Sequence, residues 1–335
     1  MIDSRPSDTA YLLLNTGSPS TLTLPALRTY LTRFLTDPRV INIPAPLRHL
    51  LVRAIIVPFR SPRSLSHYRE IWTERGSILR IHTHELAQQI CEISGHPTLV
   101  GMRYEEESIS TALHQASEMG ISHLILIPLF PHYAMSSYES AVAEVVRCHA
   151  AEGHTFRLSC VAPYYSHPSF IELWADTIAQ QARPGDHLVL AFHGIPLSQV
   201  TPYAGDPLKD YPTQCLITAD LIVRHPKLLP LSLTSEVVYQ SRLGKGKWLE
   251  PMLKERLQQL PSEGYSRILV GSPSFYCDCL ETLYEIGIEG VETFKSHGGS
   301  ELILLSCPNS SAEGARALLD AATLPLHEAS YFTHP

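Results

Sequence analysis

The sequence predicts an α/β fold built from two similar Rossmann-like halves, each a parallel sheet with helices on both faces. Three observations predict it. Short apolar runs bounded by turn residues alternate with longer stretches of helical periodicity. That alternation runs once to about residue 150 and again to about residue 325. The length, 335 residues, suits two domains at roughly 150 residues each. The expected division is therefore 1–150 and 151–335.

The first strand is read at Tyr11–Leu14, where the chain then turns on Asn15-Thr16-Gly17. Leu24–Leu35 follows with helical periodicity. The first half continues with a helix at His84–Ile93, a strand at Leu99–Met102, a helix at Ile109–Met119, a strand at Leu124–Leu129 and a helix at Ser137–His149. In the second half, strands are read at Leu188–Phe192, Val237–Tyr239, Ile268–Val270 and Leu302–Leu305. The helices there are Ile171–Ala182, Pro251–Leu260, Leu280–Val291 and Ala312–Ala322. Regular strand–helix alternation of this kind gives parallel sheets. In such sheets a ligand sits beyond the carboxyl ends of the strands, so polar residues just after each apolar run are the first candidates for a site.

One stretch breaks the alternation. Ile41–Phe59 is apolar but interrupted by three prolines. It is either a core helix flanked by loops or an exposed apolar lip that meets a membrane or a greasy ligand.

Composition excludes several classes. Hydrophobic content is 44% and charged content 18%, values of an ordinary folded protein. A net charge of -7 argues against nucleic acid as a partner. No run reaches the ~18 apolar residues of a membrane span. Met1–Ala10 is polar and is not read as a signal peptide, so the expected location is the cytoplasm. The seven cysteines lack framework spacing, and the Cys277–Cys279 pair alone is weak evidence for a metal. No glycine-rich dinucleotide fingerprint or phosphate loop follows a strand.

Four constellations could carry chemistry. His193 follows the run Leu188–Phe192 directly, and Gly194 and Pro196 then turn the chain. A neutral imidazole there could accept a proton or bind a metal; it could equally be a satisfied turn histidine. Asp278, Glu281 and Glu285 fall at i, i+3 and i+7, one face of a helix. Aligned carboxylates repel unless they hold a cation or share protons. Alternatively, Asp278 is an N-cap with Glu281 as its capping-box acid, which leaves Glu285 unexplained. Arg60 and Arg63, with Arg103 and Tyr104 after the run Leu99–Met102, offer forks for carboxylates, or simply a solvated surface. Gln240-Ser241-Arg242 is followed by Trp248, whose indole could stack on a flat ring or sit in the core. Together these describe a crevice for a flat apolar ring with carboxylate tails that meets a divalent metal.

At this point the motifs resemble those of the ferrochelatase family, nearly end to end. They include Phe34-Leu35-Thr36-Asp37-Pro38-Arg39-Val40, Ile71-Trp72-Thr73-Glu74-Arg75-Gly76-Ser77 and Pro128-Leu129-Phe130-Pro131-His132-Tyr133. They continue with His193-Gly194-Ile195-Pro196, Gly205-Asp206-Pro207, Gln214-Cys215, Gln240-Ser241-Arg242 and Asp278-Cys279-Leu280-Glu281-Thr282-Leu283, and close with Pro308-Asn309-Ser310.

The resemblance implies a porphyrin cleft between two Rossmann-like domains. It implies His193 and Glu281 as the catalytic pair, and His193, Glu281, Glu285 and Asp278 as the residues that handle the metal. It assigns Arg60, Arg63 and Ser241 to the propionates and Arg103 and Tyr104 to the opposite wall. Thr16, Trp248 and Phe275 are also expected to contact substrate. Thr16 departs from the apolar wall residue of some members. Ile41–Phe59 resembles a lip in the N-terminal domain that touches the membrane peripherally on its inner face.

Ferrous iron is implied as a substrate, with no permanently bound cofactor. Only Cys307 lies beyond residue 279, so no iron–sulfur cluster is expected. The expected activity is lyase-type insertion of Fe2+ into protoporphyrin IX to give protohaem, by a monomer or homodimer. The alternatives are a coproporphyrin III ferrochelatase, a cobalt chelatase of corrin synthesis and a non-catalytic tetrapyrrole carrier.

Overall fold

The computed structural model describes residues 8–106, 108–244 and 246–333. The opening residues 1–7, part of the stretch read as lacking a signal peptide, lie outside the described residues.

The chain runs β1 (Thr9–Asn15), α1 (Leu24–Thr36), α2 (Ala45–Leu50), α3 (Val57–Ile71), α4 (Ile78–Ser94), β2 (Thr98–Met102), α5 (Ser108–Glu118), β3 (His123–Pro128), α6 (Ser140–Glu152) and β4 (Arg157–Val161). It continues α7 (Pro168–Gln181), β5 (His187–His193), α8 (Leu197–Val200), α9 (Tyr211–Val223), β6 (Thr234–Gln240), α10 (Leu253–Gln259), β7 (Arg267–Gly271), a π-helix (Leu280–Gly290), α11 (Val291–Ser296), β8 (Glu301–Leu304), α12 (Ala312–Ala321) and β9 (Leu326–Glu328).

Among the described residues the strands form two sheets. The first has the order β2-β1-β3-β4-β9, parallel except for β9; the second has the order β6-β5-β7-β8, all parallel. The mixed α/β class with parallel sheets is the one the sequence predicts. The division between halves falls later than residue 150, because β4 belongs to the first sheet and β9 returns from the C-terminus to pair with it. Both strands are too short and too mixed in polarity to stand out as apolar runs.

Leu12, Leu13 and Leu14 are fully buried, as are Leu188 through Phe192, because helices cover both faces of each sheet. One core cluster crosses between the sheets. It joins Leu13, Ile127 and Val161 to Leu190, Phe192 and Leu269, with Trp174 of α7 and Leu86 of α4. The halves therefore pack as one body around a shared seam.

The stretch Ile41–Phe59 is helical from residue 45. α2 passes through a π-helical turn, Leu51–Ile56, into α3. That turn ends just before Pro58, which lacks the N–H that a regular helix would require. Both readings of the stretch hold in part. Val52 and Val57 are buried against α1 with Leu27 and Leu31, while Leu47, Leu50, Ile55 and Phe59 face outward.

Candidate active site

A cleft opens where the two sheets meet, at the carboxyl ends of their strands. Asn15 ends β1 and Thr16 follows it, Leu129 and Phe130 follow β3, His193 ends β5, and Ser274 and Phe275 follow β7. Tyr30 and Phe34 of α1 and Tyr68 and Ile71 of α3 close the other side. The space it encloses, counted out to open solvent at its mouth, is about 1030 Å³.

His193 is held by its backbone. Its N–H donates to Ser274 Oγ at 3.0 Å, and its carbonyl accepts from Tyr211 Oη at 2.7 Å. Gly194 explains why the histidine must be followed by glycine. A Cβ there would stand 2.7 Å from the Gln240 carbonyl, which instead accepts the Gly194 N–H at 2.8 Å. Burial lowers the His193 pKa, and the nearby Glu281 carboxylate partly offsets that. The imidazole is therefore neutral near pH 7 and free to take a proton or a metal ion. The Phe275 ring lies 6.1 Å away at 67°.

Glu281 lines the same cleft from the first turn of the π-helix. The sequence predicts an α-helix here. The segment is instead π-helical, with i→i+5 hydrogen bonding, and buries Thr282, Ile286 and Gly290. Glu285 stands one turn behind Glu281 and is half-buried. Its carboxylate accepts both the N–H of Ser241, at 2.8 Å, and its hydroxyl. Ser241 holds a left-handed φ of 64°, which those two bonds stabilise. Burial raises the Glu285 pKa to about 7; Ser241 works against the shift, and the Glu281 charge adds to it. Glu281 and Glu285 thus form an acidic pair leading away from the cleft, with one member poised to titrate near neutrality.

Asp278 is set apart from that pair. It is buried, and its carboxylate accepts from Thr282 Oγ1 at 2.9 Å, Asn309 Nδ2 at 2.7 Å and Ser306 Oγ at 3.2 Å. With its lone pairs committed, it anchors the start of the π-helix and does not line the cleft. The capping box falls one residue later than the sequence suggests, with Cys279 as N-cap and Thr282 as its partner.

The expected substrate contacts separate into three groups. Thr16 and Phe275 line the cleft. Ser241 lies behind it on Glu285. The remaining five lie outside the lining. Arg60 and Arg63 are exposed on the outer turns of α3, near enough to the rim that Arg60's charge acts on the lining residue Tyr68.

Arg103 and Tyr104 are structural. Arg103 Nη2 meets Asp37 Oδ2 at 2.9 Å, and Tyr104 Oη donates to the same oxygen at 3.1 Å. Arg103 Nε donates to Ser140 as well, which ties the end of α1 to the start of α6. The buried Tyr104 ring supports the wall from behind, edge-on to Phe34 at 5.0 Å. Trp248 buttresses the turn after His193, where Pro196 pairs with it as an isolated bridge and Gly194 lies against its ring.

Sequence reasoning missed the aromatic wall of Tyr30, Phe34 and Tyr68, and also His132. Tyr30 and Phe34 are spaced i, i+4 on one helix face, a signal that also fits a core. His132 is buried among aromatic rings, with Nε2 at 2.8 Å from Thr218 Oγ1, and burial lowers its pKa to about 3.

Comparison with known proteins agrees with this geometry. The family profile described as Ferrochelatase matches residues 8–324. A ferrochelatase of Pseudomonas syringae pv. tomato is 37% identical over 331 residues, covering 93% of this chain and 96% of its own length. One from Porphyromonas gingivalis is 38% identical over 340 residues, covering 94% and 96%. Among solved structures, SirB from Bacillus subtilis with Fe3+ superposes with a TM-score of 0.57 at 14% identity, covering 94% of each chain. That likeness speaks for the fold. The near full-length match to the profile and to these relatives shows that the chain belongs to the ferrochelatase family, enzymes that insert a metal ion into a porphyrin in haem synthesis.

Proposed function

We propose that the chain inserts Fe2+ into protoporphyrin IX to give protohaem, a lyase-type reaction with iron and porphyrin as its substrates. The observation that carries this reading is the pairing of neutral His193 with Glu281 in a cleft whose other walls are apolar and aromatic. Metallation releases two pyrrole protons as the four ring nitrogens bind iron. His193 is suited to accept a proton from the ring centre. Glu281 is suited to receive the next or to hold iron briefly, and Glu285, with its pKa near 7, to relay charge outward. Contacts to the ring faces and propionates supply binding energy that can hold the macrocycle bent, the geometry that metallation requires.

Protoporphyrin is favoured over coproporphyrin by charge. No Arg or Lys is among the described residues lining the cleft, and the rim offers Arg60 and Arg63. A substrate with four propionates would leave some of them without a cationic partner. The reading needs no resident cofactor and no iron–sulfur cluster.

The outward apolar face of Leu47, Leu50, Ile55 and Phe59 suits peripheral contact with a membrane surface. No helix among the described residues is long and apolar enough to cross one.

The test is anaerobic turnover with ferrous iron, offering protoporphyrin IX and coproporphyrin III in parallel and following the porphyrin absorption spectrum. Preference for protoporphyrin is expected. Preference for coproporphyrin would keep the chemistry and reject the substrate. Tight binding without metallation of either would favour a carrier.

A further inference from the structure

A second convergence of metal-binding side chains lies outside the cleft, where α5 meets the end of α6. His114 projects from α5, Glu152 is the last residue of α6, and His154 comes two residues later. Gly153 brings them together. It takes the left-handed conformation, φ 71°, that ends many helices, and both its N–H and that of His154 turn back to the His149 carbonyl. The chain folds over, so that the His154 ring lies against Phe156 at 5.2 Å and meets His114 edge-on at 5.1 Å.

Both imidazoles point at one carboxylate oxygen. His154 Nε2 lies 3.0 Å and His114 Nε2 3.6 Å from Glu152 Oε2. One ligand atom from each of the three residues lies within 4.8 Å of the others. A tetrahedral ion with bonds of about 2.0–2.1 Å holds its ligands roughly 3.3 Å apart, so the observed spacing needs only small shifts to admit one. The neighbouring groups are otherwise engaged. Arg147 is paired with Glu144, and His149 Nε2 is bonded to the Phe156 carbonyl. The His154 side chain is 5% exposed and that of His114 60%, so the group is anchored on one side and open to water on the other. α6 runs back from the carboxyl end of the sheet, which puts the cluster at the edge away from the cleft.

We propose that His114, Glu152 and His154 form a second, three-ligand site for a divalent transition metal of the Zn2+ class, with a fourth position left to water. Two imidazoles and a carboxylate suit Zn2+ and its neighbours in the first transition row better than Mg2+ or Ca2+. An ion there clips α5 to α6 and stabilises the native chain by mass action.

The probe is ZnCl2 titrated calorimetrically into the full chain carrying His193→Ala, which removes the cleft imidazole, at about pH 7.5, where imidazoles are neutral. One equivalent is expected to bind and to raise Tm. His114→Ala, an exposed helical change that leaves the fold intact, is expected to weaken that binding at least ~10-fold, since even outer-shell changes cost 10–100-fold. It should also abolish the Tm rise. Glu152→Gln, which keeps the side-chain shape, should do the same. Zn2+ affinity and Tm response that survive either change would overturn the proposal.

Discussion

The two walls of the cleft are built to different rules. On the C-terminal wall, polar groups are fixed by the ends of parallel strands. The His193 backbone is bonded on both sides, and Glu285 is gripped by Ser241. On the N-terminal wall, α1 and α3 present aromatic and apolar side chains to the cleft, and the outer face of α2 and α3 is bare, with Phe59 80% and Leu50 64% exposed. The walls touch where His67 of α3 stacks on Tyr284 of the π-helix, 3.9 Å apart and nearly parallel. On the proposed reading, reacting groups are pre-positioned on rigid elements, and the ring-binding and lipid-facing surfaces share one helix.

The largest expected effect falls on the rigid wall. His193→Ala should lower turnover by about 10³-fold or more while porphyrin binding and fold persist, the upper range for loss of a positioned proton acceptor. Steady-state rates and porphyrin fluorescence titration check both halves of that statement. Near-normal turnover would remove the distinction between the walls.

Asp278 tests whether every carboxylate in the acidic run is functional. Asp278→Ala strips the acceptor from buried Thr282 and from the less buried Asn309 and Ser306, and should cost about 1–3 kcal/mol of stability, read by denaturant unfolding. A stable variant with impaired metallation would return Asp278 to the metal path.

Glu285 sharpens the same wall by pH. Its folded pKa, about 7, lies above the carboxylate value of 4.5 that applies when unfolded. The native state thus binds the proton more tightly, and wild-type stability falls as pH rises from 4.5 through 7. Glu285→Gln has no such proton to lose. Its stability relative to wild type should therefore improve by about 2–3 kcal/mol between pH 5 and pH 8. A difference that stays flat with pH would mean that Glu285 is already ionised throughout.

The smallest effect concerns the apolar wall. Phe59→Ser should weaken binding to phospholipid vesicles by about 10-fold, in keeping with the loss of one buried aromatic side chain. Turnover of dissolved porphyrin should change far less. Unaltered vesicle binding would reject the lip as a membrane contact.

How much of this was legible in the sequence follows the same divide. Strand ends were readable, because a polar residue after a fully apolar run, such as His193 after Leu188–Phe192, marks the mouth of a parallel sheet. Helix faces were not. The spacing of Asp278, Glu281 and Glu285 suggested one acidic face, but a π-helix and a network around Asn309 split Asp278 from the other two. Arg103 and Tyr104 follow a strand just as His193 does, yet Asp37, distant in sequence, claims both. The aromatic wall was hidden because Tyr30 and Phe34 at helical spacing look the same whether they face a core or a cleft.

The most direct test of the central claim is anaerobic insertion of ferrous iron into protoporphyrin IX by wild type, His193→Ala and Glu281→Gln, each with its porphyrin affinity measured. The account predicts rapid metallation by wild type, and retained binding with metallation all but lost in both variants. Metallation that survives in either variant at the wild-type rate would contradict it.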